Sequence, residues 1–256
     1  MQDYNSIRTA GTATRSAEVD EGLRAYMTKV YSLMAVAMLV TAGAAWGIAG
    51  LALSDVPTPY RLGATKYLTE FGATLYTSPL KWVVMFAPLI MVFAFGAALK
   101  RLSVQGATTL FYAFAAVMGI SISWIFVSFT SYSIVQTFLV TAIAFAGLSL
   151  YGYTTKKDLS GMGTFLMMGV IGLIVASIIN IFLQSSAMQF AISAIGVLIF
   201  AGLTAFDTQN IKNTYIALAN SDRDFLGKSA IMGALQLYLN FLNMFMFLLQ
   251  FMGNRE

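Results

Sequence analysis

Seven long apolar segments constrain the fold of this 256-residue chain more than any other feature of its sequence. A helix needs about 20 mostly apolar residues to cross the roughly 30 Å hydrocarbon layer of a membrane. Segments of this kind lie at 28–53, 82–99, 104–129, 133–152, 162–184, 187–211 and 229–252. They lack the strict alternation of apolar and polar residues that is typical of strands. We therefore predict an all-α integral membrane protein with seven transmembrane helices.

The composition excludes several other classes of protein. The chain is 58% hydrophobic and 10% charged, whereas a soluble domain carries about 25% charged residues. It contains no cysteine and no histidine, which excludes disulfides, thiolate chemistry and imidazole metal sites, and any proton switch must use a carboxylate. Phosphate-binding and dinucleotide-binding motifs are also missing from the sequence. We expect neither an enzyme nor a nucleic-acid-binding protein, and no cofactor.

Polar stretches divide the chain into two regions. Residues 1–25 are polar and mixed in charge, which predicts a cytoplasmic N-terminal tail, and residues 26–256 hold the seven-helix transmembrane domain. The longest connection, 54–81, contains three prolines. We predict a plain surface loop there, with a cap over the outer face as the alternative.

Basic residues are distributed unequally between the two ends of the apolar segments. If the N-terminus lies inside, 11 of the 15 lysines and arginines fall on the inner side, and four fall outside: Arg61, Lys66, Lys81 and Arg255. This bias predicts a cytoplasmic N-terminus. The odd number of segments then places the C-terminus on the periplasmic side. If the last segment re-enters instead of crossing, the C-terminus is cytoplasmic.

Asp207 is the main candidate for a charge inside an apolar segment, and it lies near the end of the sixth one. An acid kept close to hydrocarbon usually pairs with another group and lines a polar path. A segment that ends at 211 places Asp207 near the inner boundary of the bilayer, and a helix that continues to Leu218 places it deeper. The alternative is a solvated aspartate in a local turn with Thr208 or Gln209.

Polar residues of the seventh segment follow one face of a helix, which we call the polar stripe. Steps of 3, 4, 3 and 7 residues separate its members, Gly233, Gln236, Asn240, Asn243 and Gln250. An amide that faces lipid costs several kcal/mol, so the stripe must face protein or a wet cavity. We therefore predict that helix 7 is central within the bundle of helices 1–6, with a purely structural hydrogen-bond seam as the alternative. Candidates to extend the polar lining are Asn180, Ser121 and Ser123.

Four phrases of the sequence carry a family resemblance. They are VDEGLRAYMTKVYSLMA in segment 1, SPLKWVVMFAPL in segment 2, GLTAFDTQNIK at the end of segment 6, and GKSAIMGALQLYLNFLN in segment 7. Together they resemble the Bax inhibitor-1 family (the transmembrane Bax inhibitor motif proteins) in its bacterial, YccA-like form, from about residue 18 to the C-terminus. The resemblance implies a bacterial inner (plasma) membrane protein, with helix 7 surrounded by the other six and a pH-sensitive calcium leak.

The resemblance also implies a gate at which this chain departs from the family pattern. In the family, an Asp at the end of helix 6 and an Asp in helix 7 share a proton. Asp207 matches the first, but the second position, within LYLNFLN, is Asn240. Because an Asp–Asn pair lacks the repulsion between two carboxylates, we predict weaker pH gating here. The family also has a basic latch for the helix 6 acid, for which Arg101 or Lys100 are the candidates.

These observations lead to three functional hypotheses. The first is a calcium (cation) leak channel, with Asp207, Asn240, Asn243 and Gln236 along the ion pathway and gate and with Asp207 as the metal ligand, since hard cations prefer oxygen ligands. The second is a membrane-embedded interaction protein that modulates a membrane protease or a stress response through its N-terminal tail. Secondary transport of another solute is a weaker third hypothesis, because no pair of charged residues lies mid-membrane. The distance from Asp207 to Asn240 decides whether the proposed gate exists.

Overall fold

The computed structural model describes residues 2–62, 66–219 and 222–254, with side chains for 19–61, 66–219 and 222–254. The elements of these parts, in chain order, are α1 (Gln2–Ala52), β1 (Leu53–Ser54), β2 (Arg61–Leu62), β3 (Lys66–Leu68), α2 (Glu70–Thr77), α3 (Leu80–Leu99), α4 (Val104–Ile122), α5 (Ile125–Ser128), α6 (Ser131–Thr154), α7 (Ser160–Leu183), α8 (Ser186–Leu218) and α9 (Arg223–Met252).

Seven helical stretches of the described chain are long and apolar enough to cross a membrane, as predicted. They are Val19–Ala52, Leu80–Leu99, Val104–Ser128, Ser131–Thr154, Ser160–Leu183, Ser186–Leu218 and Arg223–Met252. The sixth continues well beyond the predicted end at 211, and the seventh begins before 229. The cause is physical: hydropathy reports the part of a helix that suits lipid, and a helix can continue into polar sequence beyond it.

The first helix begins earlier than the apolar segment that predicted it. Its backbone is helical from Gln2, so it includes nearly all of the predicted tail, 1–25. The side chains before Val19 lie outside the described residues. The division into a tail and a transmembrane domain stays a prediction.

The bundle has two ends that differ in their loops. The sheet face carries β1–β3, α2, the α5–α6 and α7–α8 turns and the end of α9. The basic face carries the α3–α4, α6–α7 and α8–α9 connections. The end of α9 is fixed at the sheet face, because the Thr130 backbone N–H donates to the Asn254 carbonyl at 3.1 Å and the Asn254 N–H donates to the Ser133 hydroxyl at 3.0 Å. The 30-residue α9 thus runs from one face to the other instead of re-entering.

The connection between the first two transmembrane helices is folded, so the prediction of a plain surface loop is wrong. Its strands form an antiparallel sheet in the order β1-β3-β2, and α2 follows them. The Lys66 ammonium donates to the Phe126 carbonyl at 2.6 Å, and the hydroxyls of Tyr76 and Ser123 lie 2.8 Å apart. These contacts tie the connection to α4 and α5 as a cap. The alternative, a cap, is therefore the arrangement found; its strands were not predicted because they are only two or three residues long.

The hydrophobic core is richest around α9. Of its most apolar 18 residues, 61% are buried, against 11–44% in the other six spans. It packs along α8 and also contacts α1, α6 and α4. Tyr238 is fully buried there: its ring meets Phe111 and Phe114 edge-on. Its hydroxyl lies 2.6 Å from that of Thr41 on α1, so an otherwise costly buried polar group is satisfied.

Close backbone contact joins α6 to α8 at Gly152. A β-carbon at this position would overlap the backbone carbonyl of Ala205. Small residues allow such approach between helices in lipid, where hydrophobic association is weak. Gly147 on the same helix has nothing within 4 Å of the position of a β-carbon, so only Gly152 is required by packing.

We expect Gly152→Ala to lower the free energy of unfolding by about 1–3 kcal/mol, because α6 must move away from α8. The matched control Gly147→Ala should leave it unchanged or raise it by up to about 1 kcal/mol, because alanine favours a helix more than glycine does. Denaturant unfolding of the protein in detergent, followed by circular dichroism, measures both. Equal effects of the two substitutions would contradict the packing argument.

Candidate functional site

Asp207 and Asn240 are in direct contact. The Asn240 Nδ2 group donates a hydrogen bond to Asp207 Oδ2 at 2.6 Å, across 33 residues of sequence. Asn240 is buried and Asp207 is half-buried. The contact exists because α8 and α9 pack side by side, which brings the acid onto the same level as the middle of the polar stripe.

Asp207 lies well inside α8 and not at its end. The helix continues to Leu218, and the 11 residues beyond Asp207 add about 16 Å at 1.5 Å per residue. The alternative of a local turn is wrong, because both neighbouring side chains are engaged elsewhere. The Thr208 hydroxyl donates to the Thr204 carbonyl at 2.8 Å, and Gln209 bonds to the α6–α7 loop.

A cavity of about 600 Å³ opens between α7, α8 and α9, and we call it the α7–α9 groove. Its polar members include four of the predicted site residues, Asp207, Gln236, Asn240 and Asn243, together with Ser177. Its apolar lining is Met167, Val170, Leu173, Ile174, Ile178, Ile181, Phe200, Leu203, Leu239 and Phe247. The acid and the amides of α9 therefore face a common space, whereas α7 supplies an almost entirely apolar wall.

The other members of the polar stripe have different roles. Gly233 packs against Ile211 on α8. Gln250 lies near the sheet face, where its Oε1 accepts from Gln189 Nε2 at 2.7 Å. The stripe predicted from sequence therefore faces α8 and the groove, but only its middle part lines the groove.

A chain of three amides connects α7, α8 and α9 at the sheet face. Asn180 Nδ2 donates to Gln189 Oε1 at 3.2 Å, and Gln189 in turn donates to Gln250. These three residues line a second cavity of about 540 Å³, and Ile181 lines both cavities. Asn180 and Gln250 were predicted from sequence and Gln189 was not; its signal is a lone amide in the first turn of an apolar helix.

On the basic-face side of Asp207, hydrogen bonds tie α6 and the α6–α7 loop to α8. Gln209 Nε2 donates to the Lys157 carbonyl at 2.7 Å, and its Oε1 accepts from the Leu159 N–H at 2.8 Å. One turn further, the Lys212 ammonium donates to the Tyr153 carbonyl at 2.8 Å. Gln209 thus anchors the α6–α7 loop to α8, a role that the sequence analysis did not anticipate. Ser121 and Ser123 lie elsewhere, near α2 and α3.

The structure does not bring the latch candidates to Asp207. Lys100 and Arg101 lie exposed in the turn between α3 and α4. Neither forms an ion pair with Asp207, whereas Lys228, in the first turns of α9, pairs with Asp224 at 2.9 Å. Helix α3 packs mainly against α4 and not against α8. A latch at either residue stays a prediction that needs a different arrangement of helices.

A resident metal site is not formed by the described side chains. No group of three or more aspartates, glutamates, histidines or cysteines occurs among them. Asp207 is the one charged residue among those that line the groove. The prediction of Asp207 as a metal ligand therefore concerns a passing cation and not a stored one, since a single carboxylate makes a weak site.

Comparison with known proteins covers almost the whole chain. Residues 23–256 match the family model described as inhibitor of apoptosis-promoting Bax1. An uncharacterized protein of Caulobacter vibrioides is 44% identical over the full length of both chains, and one of Rickettsia prowazekii is 41% identical, also over both full lengths. The inner membrane protein YbhL of Escherichia coli is 41% identical over 92% of this chain and 94% of its own.

We expect the contact between Asp207 and Asn240 to appear as an energetic coupling. A double-mutant cycle of Asp207→Leu and Asn240→Leu should give a coupling energy of about 1–3 kcal/mol. Each single substitution already removes the hydrogen bond to the carboxylate, so the double substitution cannot remove it a second time. The measurement is the free energy of unfolding in detergent for all four chains.

Asn243→Leu provides the matched control for this cycle. Asn243 also lines the groove, but its Nδ2 donates to the Leu239 carbonyl on its own helix at 2.8 Å. Its cycle with Asp207→Leu should give a coupling below about 0.5 kcal/mol. A coupling of the same size for both asparagines would show that the hydrogen bond has no special energetic role.

Proposed function

The chain belongs to the Bax inhibitor-1 family, and on that premise we propose that this integral membrane protein is a calcium leak channel whose path includes the α7–α9 groove. One observation carries the proposal: an aspartate inside a transmembrane helix, hydrogen-bonded to an asparagine of the next helix, faces a cavity of about 600 Å³. Acids at such depth commonly mark ion pathways.

The ligands offered by the groove suit a hard cation in transit. Calcium prefers oxygen, and one carboxylate with the amide oxygens of Gln236 and Asn243 lies on the same wall. A site with a single negative charge holds calcium weakly. Conduction requires that an ion can leave as readily as it enters, so weak binding fits passage.

The two cavities suggest the course of the path. An ion from the sheet face would meet the amide chain of Asn180, Gln189 and Gln250 first, and Asp207 after it, because Ile181 borders both cavities. Beyond Asp207, the bonds of Gln209 to the α6–α7 loop close the way to the basic face. We propose that opening requires this clamp to separate.

Helix α9 is the axis of the proposed channel. Its high share of buried residues and its contacts with α1, α4, α6 and α8 support a position central to the bundle of the other six spans. The excess of basic residues on the basic face supports a cytoplasmic N-terminus and a periplasmic C-terminus. The name of the Escherichia coli relative supports the bacterial inner membrane as the location.

The alternative function, modulation of a membrane protease or a stress response through the N-terminal tail, stays a prediction. The side chains that would carry it precede Val19 and lie outside the described residues. No contact in the described part of the chain favours it over conduction.

We expect Asp207→Asn to reduce calcium entry into liposomes by at least about tenfold, which corresponds to about 1.4 kcal/mol of lost cation stabilisation. The amide keeps the size of the side chain but removes its charge. An encapsulated calcium dye reports the flux. Asp55→Asn, at an exposed position beside the sheet, is the matched control and should conduct as the native protein does. Native flux in Asp207→Asn would refute the proposed path.

The pH response should become steeper in Asn240→Asp. In the native chain the Asn240 amide donates to Asp207 whenever that carboxylate is ionised. The substitution replaces a fixed donor by a second carboxylate about 3 Å away, and two such groups share a proton and titrate as a unit. Calcium flux measured between about pH 6 and 8 compares the two proteins. A native response as steep as that of the variant would contradict the role given to Asn240.

A further inference from the structure

The α7–α9 groove combines two properties that a simple ion path does not require. One wall is apolar and continuous with the outer surface of α7, where Ile174 and Ile178 are each more than half exposed. In a transmembrane helix, such exposed aliphatic side chains face lipid. The groove therefore opens sideways, toward the hydrocarbon layer.

The opposite wall presents a negative charge that is only partly compensated. Asp207 Oδ2 accepts from Asn240, and within the described part of the chain this is the one side-chain hydrogen bond of the carboxylate. Among the described residues, neither lysine nor arginine lines the groove. An ionised carboxylate at the edge of hydrocarbon is costly unless a cation approaches it, so the groove favours a positively charged occupant.

We propose that the α7–α9 groove binds a lipophilic ammonium ion, a primary amine with an aliphatic or aromatic tail, that enters from the membrane. Its ammonium group would bind the free oxygen of Asp207, and its tail would lie along Ile174 and Ile178 of α7. The volume of about 600 Å³ falls within the roughly 300–1,000 Å³ that is typical of small-molecule sites.

Neither of the simpler occupants uses both walls. The acyl chain of a phospholipid fits the apolar wall but gains nothing from Asp207, and a metal ion gains nothing from the aliphatic side chains. The tail of an amphiphilic cation partitions into lipid, which brings the molecule to the lipid-facing side of the groove. The tail adds little selectivity, because lipid is as apolar as the groove. The charge-assisted hydrogen bond to Asp207, strengthened by low dielectric, provides the selectivity.

Binding of the amine depends on the groove and not on calcium conduction. If the proposed path is also correct, the bound amine is a blocker of it. The test therefore measures binding at the groove itself, so that failure of the channel hypothesis and failure of the ligand hypothesis give different results.

The chain has no cysteine, so a single introduced thiol reports on one position. Ser177→Cys places it in the groove, and Val175→Cys, on the same helix but outside the groove lining, is the matched control. Both proteins, in nanodiscs of phosphatidylcholine, are labelled with N-ethylmaleimide in the presence of octylamine or its uncharged analogue 1-octanol. Octylamine should slow labelling at 177 by about tenfold when its concentration is about ten times its Kd. It should leave position 175 unchanged, and octanol should protect neither.

The charge requirement is tested in the Ser177→Cys background. Asp207→Asn should abolish protection by octylamine, and Asp207→Glu, which keeps the charge and controls for folding, should retain it. Protection by octanol, or protection that survives Asp207→Asn, would show that the groove takes any lipid tail and would overturn the proposal. Absence of protection by octylamine in the otherwise native groove would overturn it equally, whatever the calcium flux.

Discussion

A carboxylate inside an apolar bundle needs a hydrogen-bond donor, and Asn240 meets that need for Asp207 at 2.6 Å. The rest of the candidate site depends on this contact, because it defines how α8 and α9 lie against each other. On its basic-face side, Ile211 packs on Gly233, and on its sheet-face side, Phe247 packs on Gly196. These three levels describe one antiparallel register. A shift by one turn would separate the acid from its amide and lose both close contacts.

The same requirement explains the other polar links between helices. Among the described residues, every buried side-chain nitrogen or oxygen has a partner. A chain of hydroxyls joins Tyr31 on α1, Ser149 on α6 and Thr208 on α8. In lipid, where apolar contact alone distinguishes little between protein and solvent, satisfied polar groups and close packing at small residues hold helices together. The polar residues of this chain are therefore first a source of structure, and the groove is where some of them remain available to a ligand.

The groove gives the proposed functions a common physical basis. One unpaired negative charge attracts a cation, and the amides beside it supply further oxygen ligands. The aliphatic wall of α7 admits the lipid-soluble part of an amphiphile. Asn240 stands where the family resemblance implies a second aspartate. It adds no charge repulsion and supplies a donor, so the site of this chain keeps one carboxylate bound to one amide. Its response to pH should be simpler than that of a pair that shares a proton.

Much of this arrangement could be predicted from sequence, and the exceptions have a common cause. Apolar length alone identified the seven spans, and periodicity with the family resemblance identified Asp207 and Asn240 as partners. The extension of α8 to Leu218 and the folded cap were only alternatives in the sequence analysis, and the roles of Gln189 and Gln209 were not predicted. The common cause is that hydropathy measures the transfer of one segment into lipid and periodicity describes one helix at a time. Neither reports contacts between separate elements.

The sequence by itself therefore determined the membrane environment, the number of spans and the polar face of α9. Only the tertiary structure decided which residues that face meets: α8 along its middle, the groove beside α7, and the amide chain at the sheet face. It also showed that Lys100 and Arg101 lie away from Asp207. The physical reason is that rotation and register between helices are set by packing among side chains far apart in sequence, through contacts that no single segment encodes.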